Sequence, residues 1–270
     1  MSWITVRVTP TRGREAILAL LFNEGASCVQ EDSHSLVTGF AGADAIPALT
    51  RKIHQLDPDA AIVSGKADTS YDLHGSVAAQ IVGDLIVAPP WFASAHPPAR
   101  TIIIEPAGGF GTGEHPTTRG VLRLMQGVVR PGDFVADLGA GSAVLSIAAA
   151  KLGASRVAAI ELDDDSIPNA EGNVAANGVE EIVEVIHGDA SSLLPLLAPV
   201  DLILANIISG FLLELLPVMR ASLAQRGRAI LSGTLHEERA RMLESFAAGL
   251  WQLEREETED EWWTVLIVPR

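Results

Sequence analysis

The chain has 270 residues, 48% of them hydrophobic and 20% charged, with a formal net charge of -15. This length holds one large α/β domain plus a smaller one, and the acidic balance opposes a nucleic-acid-binding face, which needs clustered Lys and Arg. Cys28 is the only cysteine, so no internal disulfide forms; the opening residues lack a signal-peptide layout, no apolar run has membrane length, and the seven histidines lack metal-ligand spacing. A cytoplasmic protein without metal is expected, and an acidic surface of this kind suits either plain solubility or a basic protein partner.

Trp3 to Val8 alternates and predicts a strand, while Arg14 to Asn23 predicts an amphipathic helix stopped by Gly25. Strands are expected over Ser27 to Glu31, Leu36 to Phe40 and Ala60 to Ser64, with a helix from Asp44 to Gln55 that carries Pro47 in its first turn. The order β-α-β-β-α-β is that of a small ferredoxin-like domain, expected over 1–66. Such a fold hosts many functions, which leaves partner recognition and dimerisation both open. Cys28 and His34 read as core and loop residues. Residues 67–100 read as a semi-rigid linker containing a short strand, because Pro89, Pro90, Pro97 and Pro98 stiffen the chain and cannot donate to a ladder.

From residue 101 to 270 the pattern becomes that of a doubly wound, Rossmann-like α/β domain with seven strands. Ile102 to Pro106 predicts an edge strand, followed by a loop with glycines at 108, 109, 111 and 113. Thr117 or Thr118 is placed to cap the helix that runs to Met125. The amides at that helix start and a threonine hydroxyl also suit the carboxylate of an amino-acid-like ligand, and the two roles are compatible.

Phe134 to Leu138 is an apolar run that turns through Gly139 and Gly141 into an Ala-rich helix ending near Lys151. Arg156 to Asp163 follows as a second strand, with Glu161 placed to accept hydrogen bonds from two ribose hydroxyls. Strand, glycine turn, helix, strand and acid make up the plan of a nucleoside-binding unit. A dinucleotide fingerprint needs a third glycine where Val144 stands, and no phosphate-loop pattern occurs. Asp137-Leu-Gly139-Ala-Gly141 instead resembles the acid-x-Gly-x-Gly turn of doubly wound S-adenosylmethionine-dependent methyltransferases, with a simple tight turn as the alternative.

Further along, Asp165 or Ser166 is expected to cap a helix that reaches Asn177, and Val183 to His187 is strand three. Asp189 after it is either an adenine contact or a turn residue. Asp201 to Ala205 is strand four, with Asn206 at its carboxyl end, where ligands of open α/β sheets sit. A helix from Phe211 to Ala224, a strand from Arg228 to Ser232, a helix from His236 to Ala247 and a hairpin of Trp251 to Glu257 with Trp262 to Val268 complete the pattern. Glu254 to Glu261 reads as a solvated acidic turn.

Gly109-Phe-Gly-Thr-Gly-Glu-His-Pro-Thr-Thr118, Asp137-Leu-Gly-Ala-Gly-Ser142 and Leu204-Ala-Asn-Ile207 together resemble the bacterial methyltransferases that modify large-subunit ribosomal protein eleven. The resemblance implies a substrate-recognition domain, a linker and an S-adenosylmethionine-binding domain. It implies cofactor contacts at Thr118, Gly139, Glu161 and Asn206. Phe110, Gly111 and Thr112 in the glycine loop, Gly141 in the turn and Asp189 after strand three are taken with them as cofactor-binding candidates. Two positions depart from the family pattern, which has glycine at Ala143 and aspartate at Glu161. The implied acceptors are lysine or α-amino groups of a basic ribosomal protein, without direct contact to nucleic acid. Asn206-Ile-Ile-Ser209 fits that acceptor, since enzymes acting on planar nitrogens commonly carry Asn-Pro-Pro-Tyr there. Direct displacement on the sulfonium needs no metal and no covalent intermediate; Glu114 and His115 are the nearest acceptor contacts, and no catalytic residue is assigned. Methylation of another protein or a small amine, and a non-catalytic cofactor-binding module, remain as alternatives.

Overall fold

The chain packs as two units, Met1–Ser76 and Val77–Arg270. The structure, a computed structural model, describes residues 3–24, 26, 29–31, 35–41, 46–66, 78–106 and 110–270. The expectations placed on Gly25, Ser27, Cys28, His34 and Asp44 lie outside the described residues, as do Gly108 and Gly109.

The first unit runs β1 (Trp3–Thr9), α1 (Arg14–Asn23), β2 (Gln30–Glu31), β3 (Leu36–Ala41), α2 (Ile46–Leu56) and β4 (Ala61–Lys66). Its sheet has the order β2-β3-β1-β4. β1 lies antiparallel to both neighbours, with Val6 opposite Thr38 on one side and Ser64 on the other. Ile46, Leu49 and Ile53 recur at helical spacing and are buried, so α2 offers one apolar face to a core with Val6, Val8, Ile17 and Leu36. Asp57, just past α2, accepts hydrogen bonds from Thr11 N (2.6 Å), Thr11 Oγ1 (2.7 Å) and Arg12 N (3.0 Å), which fixes the β1–α1 turn to the end of α2.

The second unit opens with β5 (Gln80–Val82), β6 (Leu85–Ala88), a short helix α3 (Pro90–Ala93) and β7 (Thr101–Ile103). These strands form a three-stranded sheet of order β5-β6-β7. Val82, Leu85, Val87 and Ile102 enter one core with Val121 and Ile147, so the stretch from residue 78 belongs with this unit's core, and the prolines fall at its turns and helix start.

The main sheet has seven strands: β8 (Phe134–Leu138), β9 (Arg156–Glu161), β10 (Val183–His187), β11 (Val200–Asn206), β12 (Leu223–Leu235), β13 (Trp251–Glu259) and β14 (Trp262–Pro269). Their spatial order is β10-β9-β8-β11-β12-β14-β13, and the first five are parallel. Parallel strands require crossovers, and apolar helices supply them on both faces. On one face α4 (Pro116–Met125), α5 (Val144–Lys151) and α6 (Ile167–Ala176) pack into one core. On the other, α7 (Ala190–Leu197), α8 (Ser209–Ser222) and α9 (Arg239–Ala248) close over Trp251 and Trp263. A Rossmann-like α/β fold with a mixed sheet is therefore present.

Two expectations change. Helix α7 was not foreseen, because Pro195 interrupts its pattern and only Leu194 in it is fully buried. The acidic turn is not merely solvated: Glu257 and Glu259 pair with Arg123 and Arg119 of α4, and Glu256 pairs with Arg239 of α9. Charge spacing alone cannot show that a hairpin will fold back onto two helices.

Candidate functional site

In this sheet the strand order reverses between β8 and β11, so the loops leaving their carboxyl ends run to opposite sides and a crevice lies between them. Each flank of the crevice carries residues singled out in the sequence. The turn after β8 is knitted to β9, since the amides of Gly139 and Ala140 both donate to Ile160 O at 2.9 and 3.0 Å. Gly141 has φ 53°, and a Cβ there would lie 2.5 Å from Phe110 O. Only glycine lets the two loops touch at this point. Ser142 then closes the junction: its amide donates to Phe110 O at 3.0 Å and its hydroxyl to Gly111 O at 2.9 Å.

Glu161 ends β9 and faces this turn. One carboxylate oxygen accepts from Gly141 N at 2.8 Å; the other accepts from Leu162 N (2.8 Å) and Asp163 N (2.9 Å). Oε2, which accepts only from Gly141, retains lone-pair capacity for a further donor. Two hollows adjoin along this edge, of about 350 Å³ and 320 Å³, and both are bounded by Gly139, Glu161 and Ile207. The larger brings together Phe110, Gly111, Thr118, Gly141 and Asn206. Asp189 lines the smaller, beside Leu162 and Phe211. Thr112 borders neither; it follows Gly111 in the loop and is the one predicted site residue left outside the crevice.

Asp189 also caps α7, accepting from Ser191 N at 2.7 Å, so the turn role is real. Asn206 donates through Nδ2 to Thr118 Oγ1 at 3.3 Å, while its buried Oδ1 has no hydrogen-bond partner among the described residues. A buried amide oxygen left unpaired costs about 1–3 kcal/mol, so an incoming donor at this point is favoured. Asp137 is a second such group. It is fully buried, Oδ2 accepts from Ser146 Oγ at 2.6 Å, and Oδ1 is unpaired. Burial, reinforced by the charge of Glu161, pushes its pKa from 3.8 up to about 7, against the hydrogen bonds from Ser146.

The glycine loop is held by its own helix and by the hairpin. His115, not a threonine, is the N-cap of α4: its Nδ1 accepts from Thr117 N at 3.3 Å and lies 2.7 Å from Thr117 Oγ1. Pro116 starts the helix one residue ahead of the two threonines, which are thereby carried inside and buried. Burial, then the nearby Arg119, lowers the His115 pKa against the pull of Glu261, so the ring is neutral at pH 7. Its edge meets Phe110 at 5.2 Å and Trp262 at 4.8 Å between ring centroids. Arg119 donates to Glu114 O and to Glu259 Oε1 (2.8 Å from Nε), which fastens the loop to the hairpin turn.

Ile207, Leu162, Phe211 and Trp262 were not singled out in the sequence. The first two directly follow Asn206 and Glu161 in sequence, a signal that was available. Phe211 reaches the crevice only through the packing of α8, and Trp262 reaches His115 of the glycine loop only through the hairpin.

Residues 78–269 match the family described as ribosomal protein L11 methyltransferase. Curated relatives named ribosomal protein L11 methyltransferase include those of Exiguobacterium sp., 36% identical over 69% of this chain and 60% of its own, and of Desulforamulus reducens, 36% identical over 68% and 59%. The chain thus spans about three-fifths of the length of these relatives. Among solved structures, the ribosomal protein L11 methylase of Lactobacillus delbrueckii subsp. bulgaricus aligns with TM-score 0.63 and 30% identity, covering 72% of this chain and all of that one.

Proposed function

The chain belongs to the ribosomal protein L11 methyltransferase family, and on that premise we propose that it N-methylates lysine or α-amino groups of a large-subunit ribosomal protein, with S-adenosylmethionine as donor. The observation that carries this reading is the pair of joined hollows at the strand-order reversal, with Glu161 at their junction.

The residues present fit such a ligand. An elongated nucleoside–amino acid needs an apolar slot, a carboxylate for a diol and polar groups for an amino-acid end. Leu162 and Phe211 furnish the slot, Glu161 the carboxylate, and Thr118 and Asn206, beside Gly111 and Gly139, the polar end. Phe110, Gly141 and Asp189 complete the set. The unpaired Oδ1 of Asn206 supports a donor in this space, whether from the cofactor or from the acceptor amine.

S-adenosylmethionine supplies an activated methyl group, so the protein's task is alignment and the exclusion of water. A lysine amine is mostly protonated at neutral pH, and transfer needs the free base. The apolar surroundings of Phe110, His115 and Trp262 disfavour the ammonium, and neutral His115 adds no charge of its own. No side chain has to take up the proton covalently; Glu114, exposed on the glycine loop, is one carboxylate that could pass it to solvent.

The first unit, with its β-α-β-β-α-β order, is read as a ferredoxin-like recognition domain for the acceptor. It lies outside the matched region, so its role rests on topology and on the layout implied by the family. No helix among the described residues is long and apolar enough to cross a membrane, in keeping with a partner met in the cytoplasm.

The test is transfer from labelled S-adenosylmethionine to isolated large-subunit proteins of a strain lacking this enzyme, read by intact-protein mass. A mass gain on one ribosomal protein, absent with Gly139→Arg, is expected. Cofactor binding with no gain on any ribosomal protein would sink the acceptor assignment and turn attention to other proteins or small amines. No cofactor binding at all would sink the whole reading.

A further inference from the structure

Four arginines converge at the end of the main sheet opposite the crevice. Arg226 and Arg228 flank Gly227 at the leading end of β12, and Arg130 lies in the loop ahead of β8. Together they line a concavity of about 310 Å³, whose only acid is Glu254. Arg255 sits against the same loop, with a guanidinium nitrogen beside Gly127. Arg228 is half-buried and anchored, since Nη2 donates to Val128 O at 3.2 Å. Arg130, Arg226 and Arg255 are exposed, and their guanidinium groups have neither a carboxylate nor a hydrogen-bond partner among the described residues. Asp133 is near but is used by the backbone, accepting from Arg130 N at 2.8 Å.

This arrangement runs against the rest of the molecule. With a formal charge of -15, acids are abundant, and most other arginines of the second unit are paired: Arg119, Arg123, Arg156 and Arg239 each hold a glutamate. Like charges gathered around a hollow repel one another, and the single acid in the lining, Glu254, offsets only part of that repulsion. An oxyanion offsets the rest. Guanidinium groups present paired N–H donors that match phosphate oxygens, and one fixed arginine with mobile neighbours gives both orientation and charge. The local bulge supplies the shape: β12 pairs Leu223 with Val200 and then Arg228 with Leu202, so residues 224–227 leave the ladder and carry Arg226 outward.

We propose that the hollow lined by Arg130, Arg226 and Arg228 is a binding site for the phosphate group of a small phosphorylated molecule, separate from the crevice. It lies at the leading ends of strands whose carboxyl ends form the crevice, so one small ligand cannot occupy both.

The experiment is isothermal titration of the full chain with inorganic phosphate, ribose 5-phosphate and a single-stranded oligouridylate, each against chloride at matched ionic strength. Saturable 1:1 binding of phosphate or ribose 5-phosphate is expected, weakened about tenfold by Arg226→Gln and by Arg228→Gln, with Arg241→Gln as a control of equal charge change and no effect. Tighter binding of ribose 5-phosphate than of phosphate identifies an ester as the ligand; equal affinity identifies free phosphate. Because Arg228→Gln also removes the bond to Val128, Arg228→Lys and the exposed Arg226→Gln carry the test if it fails to fold. No binding beyond chloride, or equal loss in Arg241→Gln, overturns the proposal. Binding of the oligonucleotide alone, with steep salt dependence, also overturns it and points to a nucleic-acid surface.

Discussion

Replacing Asp137 by asparagine should change the pH dependence of stability more than stability itself. The carboxyl is fully buried, has one unpaired oxygen and a folded-state pKa of about 7 against 3.8. Below about pH 4 folded and unfolded chains both hold the proton, and the group carries no penalty. As pH rises toward 7 the unfolded chain releases the proton while the buried group keeps it, so stability falls, by about 4 kcal/mol in all. Asparagine cannot ionise. Its Oδ1 keeps the bond from Ser146, while its amide meets no acceptor, at a cost of about 1–2 kcal/mol. The variant should therefore be less stable than the parent near pH 4 and more stable by about 2–3 kcal/mol near pH 8. Urea unfolding followed by tryptophan fluorescence reports mainly the second unit, which holds Trp91, Trp251, Trp262 and Trp263, and Trp3→Phe removes the one tryptophan of the first. Parallel stability profiles for variant and parent across this range would refute the reasoning, because they would mean that Asp137 is ionised in the fold.

Gly141→Ala should lower affinity for S-adenosylmethionine by tenfold or more and cost about 1–2 kcal/mol of stability, because φ 53° and the contact with Phe110 O both oppose a Cβ; unchanged affinity by calorimetry would contradict it. Ala143→Gly should be close to neutral in chemical denaturation. Relief of φ 63° is worth about 1–2 kcal/mol, and greater unfolded-state freedom and loss of a buried methyl offset it; a loss above about 2 kcal/mol would show that Ala143 is unstrained. The first unit should show the opposite pH trend. Burial raises the Asp57 pKa, but hydrogen bonds from Thr11, Arg12 and Asp59 override it and hold it at about 2, so its stabilisation is present above 3.8 and is lost as pH falls toward 2; Asp57→Asn should remove that acid limb, seen by hydrogen exchange in α2. Arg119→Gln should loosen residues 110–115, raising their exchange rates and the KM for the acceptor while leaving the melting temperature within a few degrees, since partly exposed ion pairs contribute little.

Much of the second unit was legible in the sequence because its signals are local. Phe134 to Leu138 and Val183 to His187 are strands with the predicted ends, and α4 and α8 lie within two residues of expectation. A buried parallel strand is a short apolar run bounded by turn residues, and a glycine turn between such a run and a helix can be read without knowing what packs on it. The crevice follows from the same source. Seven of the nine predicted site residues share the larger hollow, since they sit at strand ends and loops whose order the chain dictates.

Only the tertiary structure decided the rest, wherever partners are far apart in sequence. His115 rather than a threonine caps α4, because Pro116 shifts the helix start and buries Thr117 and Thr118 against the sheet. The acidic hairpin clamps Arg119 and Arg123 across more than 130 residues, a pairing to which charge pattern is blind. Asp137 reads from sequence as an ordinary turn acid, and its proton affinity comes from complete burial. Periodicity records which residues leave water; it does not record which polar atoms they leave unpaired, such as Oδ1 of Asp137 and Oδ1 of Asn206.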